Sequence, residues 1–373
     1  MFKNKKVLVY PYDSEFSPIL RNKDMLSGYD VIGLVSPGGW GMSGKDAGIA
    51  DDGDKLNLIV SNDFDDMLPL CDSVFFSEAV LPLDFDRYIL PKVIKGAEQG
   101  KEILFFRKME KKHRATLEEV CVKNNVGFMS YDNYGDVNFA HNEFDVLHKI
   151  NTPIIFVAGV YERTQKFEIQ LSLRERLSSM GYKVSQVGSR GYCELLGFHS
   201  FPKFMYSSSV GEEKKIFQFN NYIKSIEANE NPDVIIIGIP GGVMRLNDTF
   251  TSRFGILAYE VSQAVTPDAA ILSTLYEDFN PEYFQKLTTS IKYKLGIDIS
   301  CYNLSNLQFD WSESKDNNKE YYLSLDSSFI DQKKVNYDML ATPVFNILNK
   351  EDRSNIANYL IDILSYYGEI ESV

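Results

Sequence analysis

Short, unbroken apolar runs recur along this chain, separated by longer stretches whose apolar residues return every three to four positions. The runs are 6–10 (KVLVY), 31–35 (VIGLV), 58–60 (LIV), 73–76 (SVFF), 102–106 (EILFF), 154–158 (IIFVA), 182–187 (YKVSQV), 233–237 (DVIII) and 269–272 (AAIL). The helical stretches fall near 86–99, 165–179, 212–229 and 256–265. A strand that is apolar on both faces has to be covered on both, and helices between such strands supply the cover. This pattern is that of parallel sheets in an α/β protein.

The chain is 373 residues long, enough for two domains. Residues 1–150 read as a Rossmann- or flavodoxin-like domain. A seam at Asn151-Thr152-Pro153 precedes a fresh β-α-β-α-β series over 151–310, and 311–373 read as a small α+β appendage. The expected fold class is therefore α/β, with two three-layer parallel-sheet domains, the second P-loop-like, and that appendage.

Composition excludes several functions. The net charge of −13 argues against nonspecific binding to nucleic acid or anionic membranes, since both need clustered Lys/Arg. The densest basic run, Lys108 to Arg114, reads as a solvated helix face or loop. The four cysteines form no CxxC pair, which disfavours a zinc ribbon or a disulfide framework. No apolar run approaches the roughly 20 residues of a membrane span, and Met1 to Lys6 lead into a strand rather than a signal core. A cytoplasmic protein is expected.

The glycine-rich stretch Ser36-Pro37-Gly38-Gly39-Trp40-Gly41-Met42-Ser43-Gly44 follows a strand end, where α/β sheets bind ligands. It lacks the GxGxxG spacing and reads first as a turn.

Chemistry is concentrated in the second domain. The run 154–158 enters Gly159-Val160-Tyr161-Glu162-Arg163-Thr164-Gln165-Lys166-Phe167 and then a helix. Strand, loop and helix start, with a lysine at the junction, is the arrangement that cradles phosphate oxygens with backbone N–H groups. Gly159, Arg163, Thr164, Lys166 and Phe167 are the candidate nucleotide contacts. The Gly159-to-Lys166 spacing is one residue longer than G-x-x-x-x-G-K-[ST] and resembles the loop of dethiobiotin synthetase-like proteins. Two departures stand out. Gln165 replaces the glycine before the lysine, and Phe167 replaces the Ser/Thr that contacts Mg²⁺. The second half of the expected site is Gly241-Gly242, after the strand 233–237. In the resembling proteins an acidic residue precedes that turn, and here the place is held by Gly238. The ligand implied is ATP or GTP with weak or absent hydrolysis, and Mg²⁺ is left without its usual protein ligands.

The stretch 189–205 carries Arg190, Cys193, Glu194 and His199, read as a loop that recognises a substrate or partner. A thiol, a carboxylate and an imidazole could ligate a soft metal, but a fourth ligand is missing, and no metal is expected. His113, His141 and His148 are scattered and support no site.

Four stretches together are similar to the clostridial peptide maturation system protein family. They are Lys166-Phe167-Glu168 with Gln170-Leu171, Gly181 to Gln186, Gly197 to Met205, and Ile237 to Gly242. That resemblance implies an accessory role in maturing a Cys-rich ribosomal peptide, with a radical SAM maturase and the precursor peptide as partners. It implies no reaction, and the chain has no CxxxCxxC triad of its own. Two alternatives remain open: a scaffold that binds no nucleotide and joins maturase to peptide, and an ATP-dependent ligase or kinase for a small substrate. The oligomeric state stays open too, a homodimer included.

Overall fold

A computed structural model describes residues 4–131 and 146–370, so His141 lies outside the described residues. The chain divides into two compact units. The first holds residues 1–134 with 191–197, and the second holds 135–190 with 198–373.

The first unit runs β1 (Lys5–Tyr10), α1 (Ser17–Arg21), β2 (Tyr29–Val35), β3 (Val60–Ser61), α2 (Phe64–Met67), β4 (Ser73–Phe76), α3 (Leu90–Glu98), β5 (Glu102–Phe105), α4 (Lys111–Lys123) and β6 (Phe128–Ser130). Its six strands pair in the order β3-β2-β1-β4-β5-β6, every pairing parallel. The order reverses direction between β1 and β4, the topological switch point of a doubly wound sheet. Leu8, Tyr10, Val74, Phe76, Ile103 and Phe105 alternate onto one face and pack with Phe64, Val93, Leu117 and Cys121 of the helices. The helical pattern expected over 86–99 divides in two. Phe85–Ile89 form one wide turn and α3 starts at Leu90, because Pro91 lacks an N–H and fits only the first turn of a helix.

The second unit runs β7 (Ile154–Gly159), α5 (Lys166–Ser179), β8 (Val184–Gly188), β9 (His199–Ser200), α6 (Glu212–Glu230), β10 (Val234–Gly238), α7 (Ile256–Ala264), β11 (Ala269–Thr274), α8 (Pro281–Leu295), β12 (Cys301–Leu304), β13 (Leu307–Phe309), α9 (Trp311–Asn317), β14 (Tyr322–Ser324), α10 (Ser327–Lys334), β15 (Val344–Phe345) and α11 (Lys350–Ile370). Seven strands pair in parallel in the order β15-β12-β11-β7-β10-β8-β9, which puts β7 at the centre. One face packs Phe156, Ile235, Ile237 and Leu272 against Phe219, Ile223, Val261 and Phe284 of α6, α7 and α8. The other packs Ile155, Val157, Ile236 and Ile271 against Ile169 and Leu173 of α5 and Ile356 and Leu360 of α11.

The tail is continuous with this unit. β15 extends the sheet edge, and α11 lies against α5. An ion pair clamps the two helices: Arg353 donates to Glu168 Oε1 at 2.8 Å, with Glu168 only 3% exposed. No helix among the described residues is long and apolar enough to cross a membrane.

Removing one partner of a buried pair strands the other charge, at a cost of about 3–5 kcal/mol. Arg353→Met should lower stability by about that much in urea unfolding, and adding Glu168→Gln should recover most of the loss. Equal stability of the single and double variants would contradict the clamp.

Candidate functional site

β7 delivers the phosphate-loop residues to the C-terminal edge at the middle of the seven-stranded sheet. The loop is pinned at both flanks. Val160 donates its N–H to the Ser273 carbonyl on β11, and Val243 and Met244, after β10, donate theirs to the Gly159 and Val160 carbonyls. α5 begins at Lys166 itself. To turn there the backbone takes left-handed conformations at Arg163 (φ 54°) and Gln165 (φ 60°), region that costs a side-chain-bearing residue about 1–2 kcal/mol. The conformation a glycine adopts freely is thus retained at position 165 while the glycine is not. The Gln165 amide Nε2 donates to Asn306 Oδ1 at 2.9 Å, which anchors the strained residue.

The loop is closed on its own atoms. Lys166 is 8% exposed, and its ammonium donates to the Tyr161 carbonyl at 3.1 Å. Thr164 is fully buried, with its hydroxyl on that same carbonyl at 3.3 Å and its own carbonyl accepting from Ser273 Oγ. A methyl group on Gly159 would stand 2.2 Å from Thr164 Oγ1, 2.8 Å from the Tyr161 oxygen and 2.9 Å from Lys166 Nζ. Among the described residues, the N–H groups of Thr164, Gln165 and Lys166 have no hydrogen-bond acceptor. The Lys166 ammonium is thus held by a carbonyl of its own loop rather than by solvent. Burial pushes the Lys166 ammonium down to about 8, with Glu162 pulling it up and Arg190 pushing it further down.

The metal side of the site differs from the phosphate side. Phe167 is 5% exposed and lies under the Arg190 guanidinium, 5.7 Å from ring centre to Cζ. Gly238 ends β10 with the Gln170 carboxamide laid over it, so a methyl group there would fall 2.0 Å from Gln170 Oε1. Asp233 is no substitute. It precedes β10 at the opposite sheet edge, where its carboxylate accepts from the Lys183 N–H at 2.7 Å. No three His, Cys, Asp or Glu residues among the described ones are grouped to hold a metal.

Of the other singled-out residues, Gly242 packs directly on the loop, its Cβ direction 2.8 Å from the Tyr161 Cα, and Gly241 turns with φ 76°. Arg163 swings away over the Tyr322 ring, 5.7 Å from its centre. The stretch 189–205 divides between the two units. Arg190 stands beside Lys166, whereas Cys193, fully buried, and Glu194 belong to a short turn in the first unit. His199 sits on β9 in the second unit with Nε2 2.5 Å from Glu230. Burial raises the Glu230 carboxyl, but its bonds to Ser185 and His199 outweigh this and hold it below its ordinary range.

Sequence reasoning missed the polar floor beneath the loop. Asn303 donates to Ser273 Oγ at 2.8 Å, and Asn306 also donates to the Leu325 carbonyl at 2.8 Å. Ser273, Asn303, Ser305 and Asn306 are all at most 1% exposed. The signal was polar side chains inside and just beyond apolar strands.

No family model and no curated relative matches the chain. A solved DUF1611 family protein from Anabaena variabilis is similar over 97% of this chain and all of its own, with a TM-score of 0.64 at 9% identity. The likeness is one of fold. A GTPase in apo form from Pyrococcus abyssi aligns over 57% of this chain and 97% of its own, with a TM-score of 0.31 and 14% identity. Cobyrinic acid a,c-diamide synthase from Mycobacterium smegmatis, bound to ADP and magnesium, aligns over 59% and 96%, with a TM-score of 0.30 and 12% identity.

The closed loop makes Gly159 intolerant of any side chain. Gly159→Ala should cost about 1–3 kcal/mol by overpacking, measured by urea unfolding. A neutral substitution would contradict this geometry.

Proposed function

We propose that the second unit binds the phosphate groups of ATP or GTP through residues 159–167 and does not hydrolyse them at an enzymatic rate. The observation that carries this reading is Lys166. A lysine is buried at the first residue of a helix with its ammonium on a carbonyl of its own loop, beside N–H groups that lack acceptors. Burying a cation in this way is costly, and a fold without a ligand for it gains nothing from the arrangement. An arriving phosphate exchanges one acceptor for a better one. Lys166 leaves the Tyr161 oxygen, and the N–H groups of Thr164 to Lys166 and the start of α5 face the anion. Arg190 supplies a second positive charge beside the first.

The donor set fits phosphate and does not fit a protein-bound Mg²⁺. Phe167 offers no oxygen, Gly238 no carboxylate, and Gln170 fills the space beside it. Any metal arriving with the nucleotide would be held by phosphate and water. The function supported is therefore nucleotide sensing rather than turnover. The peptide-maturation setting, with a radical SAM maturase and a Cys-rich peptide as partners, is supported by sequence resemblance alone.

Titration gives the test its sign. The folded-state pKa of Lys166, about 8, lies below the 10.5 of an unfolded lysine, so the cost of burying the charge is full below pH 8 and vanishes above 10.5. Lys166→Met should therefore stabilise the nucleotide-free protein at pH 7, by up to about 3 kcal/mol. The Tyr161 carbonyl keeps its Thr164 bond in that variant. The same substitution should abolish the gain the unaltered protein shows with nucleotide, about 2.7 kcal/mol at 100 times Kd. Both are read in one thermal-shift experiment with and without ATP and GTP. No shift in the unaltered protein at millimolar nucleotide would favour the scaffold instead.

A further inference from the structure

The first unit carries a cluster that the phosphate loop does not use. At the C-terminal end of β1, on the switch-point side of the sheet, Tyr10 is flanked by two cations. The Lys92 ammonium, from the first turn of α3, stands 4.8 Å from the centre of the Tyr10 ring and 5.5 Å from that of Phe64. Arg107, just beyond β5, is near enough for its charge to lower the Tyr10 phenol against the larger effect of burial. Its Nη1 donates to the Ser77 carbonyl, the residue after β4, at 3.1 Å.

These groups are held in place but not saturated. Lys92 is half-buried, and its ammonium has no hydrogen-bond acceptor among the described residues. The nearby Asp65 carboxylate is taken by Lys95 at 2.5 Å. The Tyr10 hydroxyl likewise has no partner among the described residues, although Tyr10 is only 1% exposed. Burial lowers both Lys92 and Arg107, so each carries its charge at a desolvation cost. Asp13, whose two oxygens accept the Glu15 and Val80 N–H groups, fastens the loop after β1 to the one after β4. Its carboxylate and that of Glu78 lie close enough to Arg107 to offset part of the desolvation, so an incoming anion has to compete with them.

We infer that Lys92, Arg107 and Tyr10 form a binding site for an anionic oxygen group, a carboxylate or phosphate, at the switch point of the six-stranded sheet. The three donors come from β1, α3 and β5, and parallel sheets gather ligands outside the carboxyl ends of such strands. A guanidinium with one hydrogen bond among the described residues and an ammonium on aromatic faces both gain from a desolvated anion. This site is independent of the nucleotide reading and would survive its failure.

The test uses the full chain in the Lys166→Met background, which silences the phosphate loop. Inorganic phosphate and malonate are titrated separately by calorimetry, in buffer free of other oxyanions. Binding of either is expected, and which one binds more tightly identifies the group. Lys92→Met and Arg107→Met should each weaken it about tenfold or more. Thermal unfolding monitors folding of both variants, and Lys92→Met removes a half-buried charge and should fold at least as well as its parent. Saturation by neither anion up to tens of millimolar, or binding that both variants leave unchanged, would overturn the site.

Discussion

A lysine ammonium buried against a carbonyl of its own loop is the interaction on which the second unit is organised. Lys166 ends the loop and starts α5, so its position fixes both the helix that covers one sheet face and the loop that leaves β7. Its cost has to be met elsewhere, and the surroundings show how. β7 is hydrogen-bonded on both sides, by β11 and β10, and the segments after those strands hold the loop from either flank. Gln165 and Arg163 accept left-handed backbone because Asn306 and the Tyr322 ring secure their side chains.

The polar floor under the loop explains why such an arrangement can persist. Asn303 bonds Ser273, Ser273 holds the Thr164 carbonyl and Asn306 holds the Gln165 amide, so two buried polar side chains tie the loop to the strands beside it. The clamp of Glu168 by Arg353 then fixes the first turn of α5 from the other side. Among the described residues no three His, Cys, Asp or Glu side chains gather to hold a metal. The Phe167 ring and the Gln170 carboxamide occupy the space where oxygen ligands would stand, and this is what the proposal of an anion held without turnover rests on.

Much of this was legible in the sequence. Continuous apolar strands announced parallel sheets, and 73–76 and 154–158 fell within a residue of β4 and β7. The junction at Lys166 was legible because strand, loop and helix follow one another without interruption. Burial of that lysine was not, since it depends on how the loop folds back to place a carbonyl five residues earlier against the ammonium. The place of β15 in the sheet was hidden because the strand is two residues long, too short for any period. The stretch 189–205 reads as one element because its residues are neighbours in sequence, and its division between the two units has no signal there.

One proton, on the Lys166 ammonium, distinguishes a phosphate loop from an ordinary one. Nitrogen-detected NMR of the Lys166 ammonium, assigned through Lys166→Arg, follows its titration with and without ATP. A midpoint near 8 is expected in the free protein, rising toward the ordinary lysine value once phosphate lies beside it. A midpoint already near 10.5 in the free protein, unmoved by ATP or GTP, would show a solvated lysine in an ordinary loop and contradict phosphate binding there.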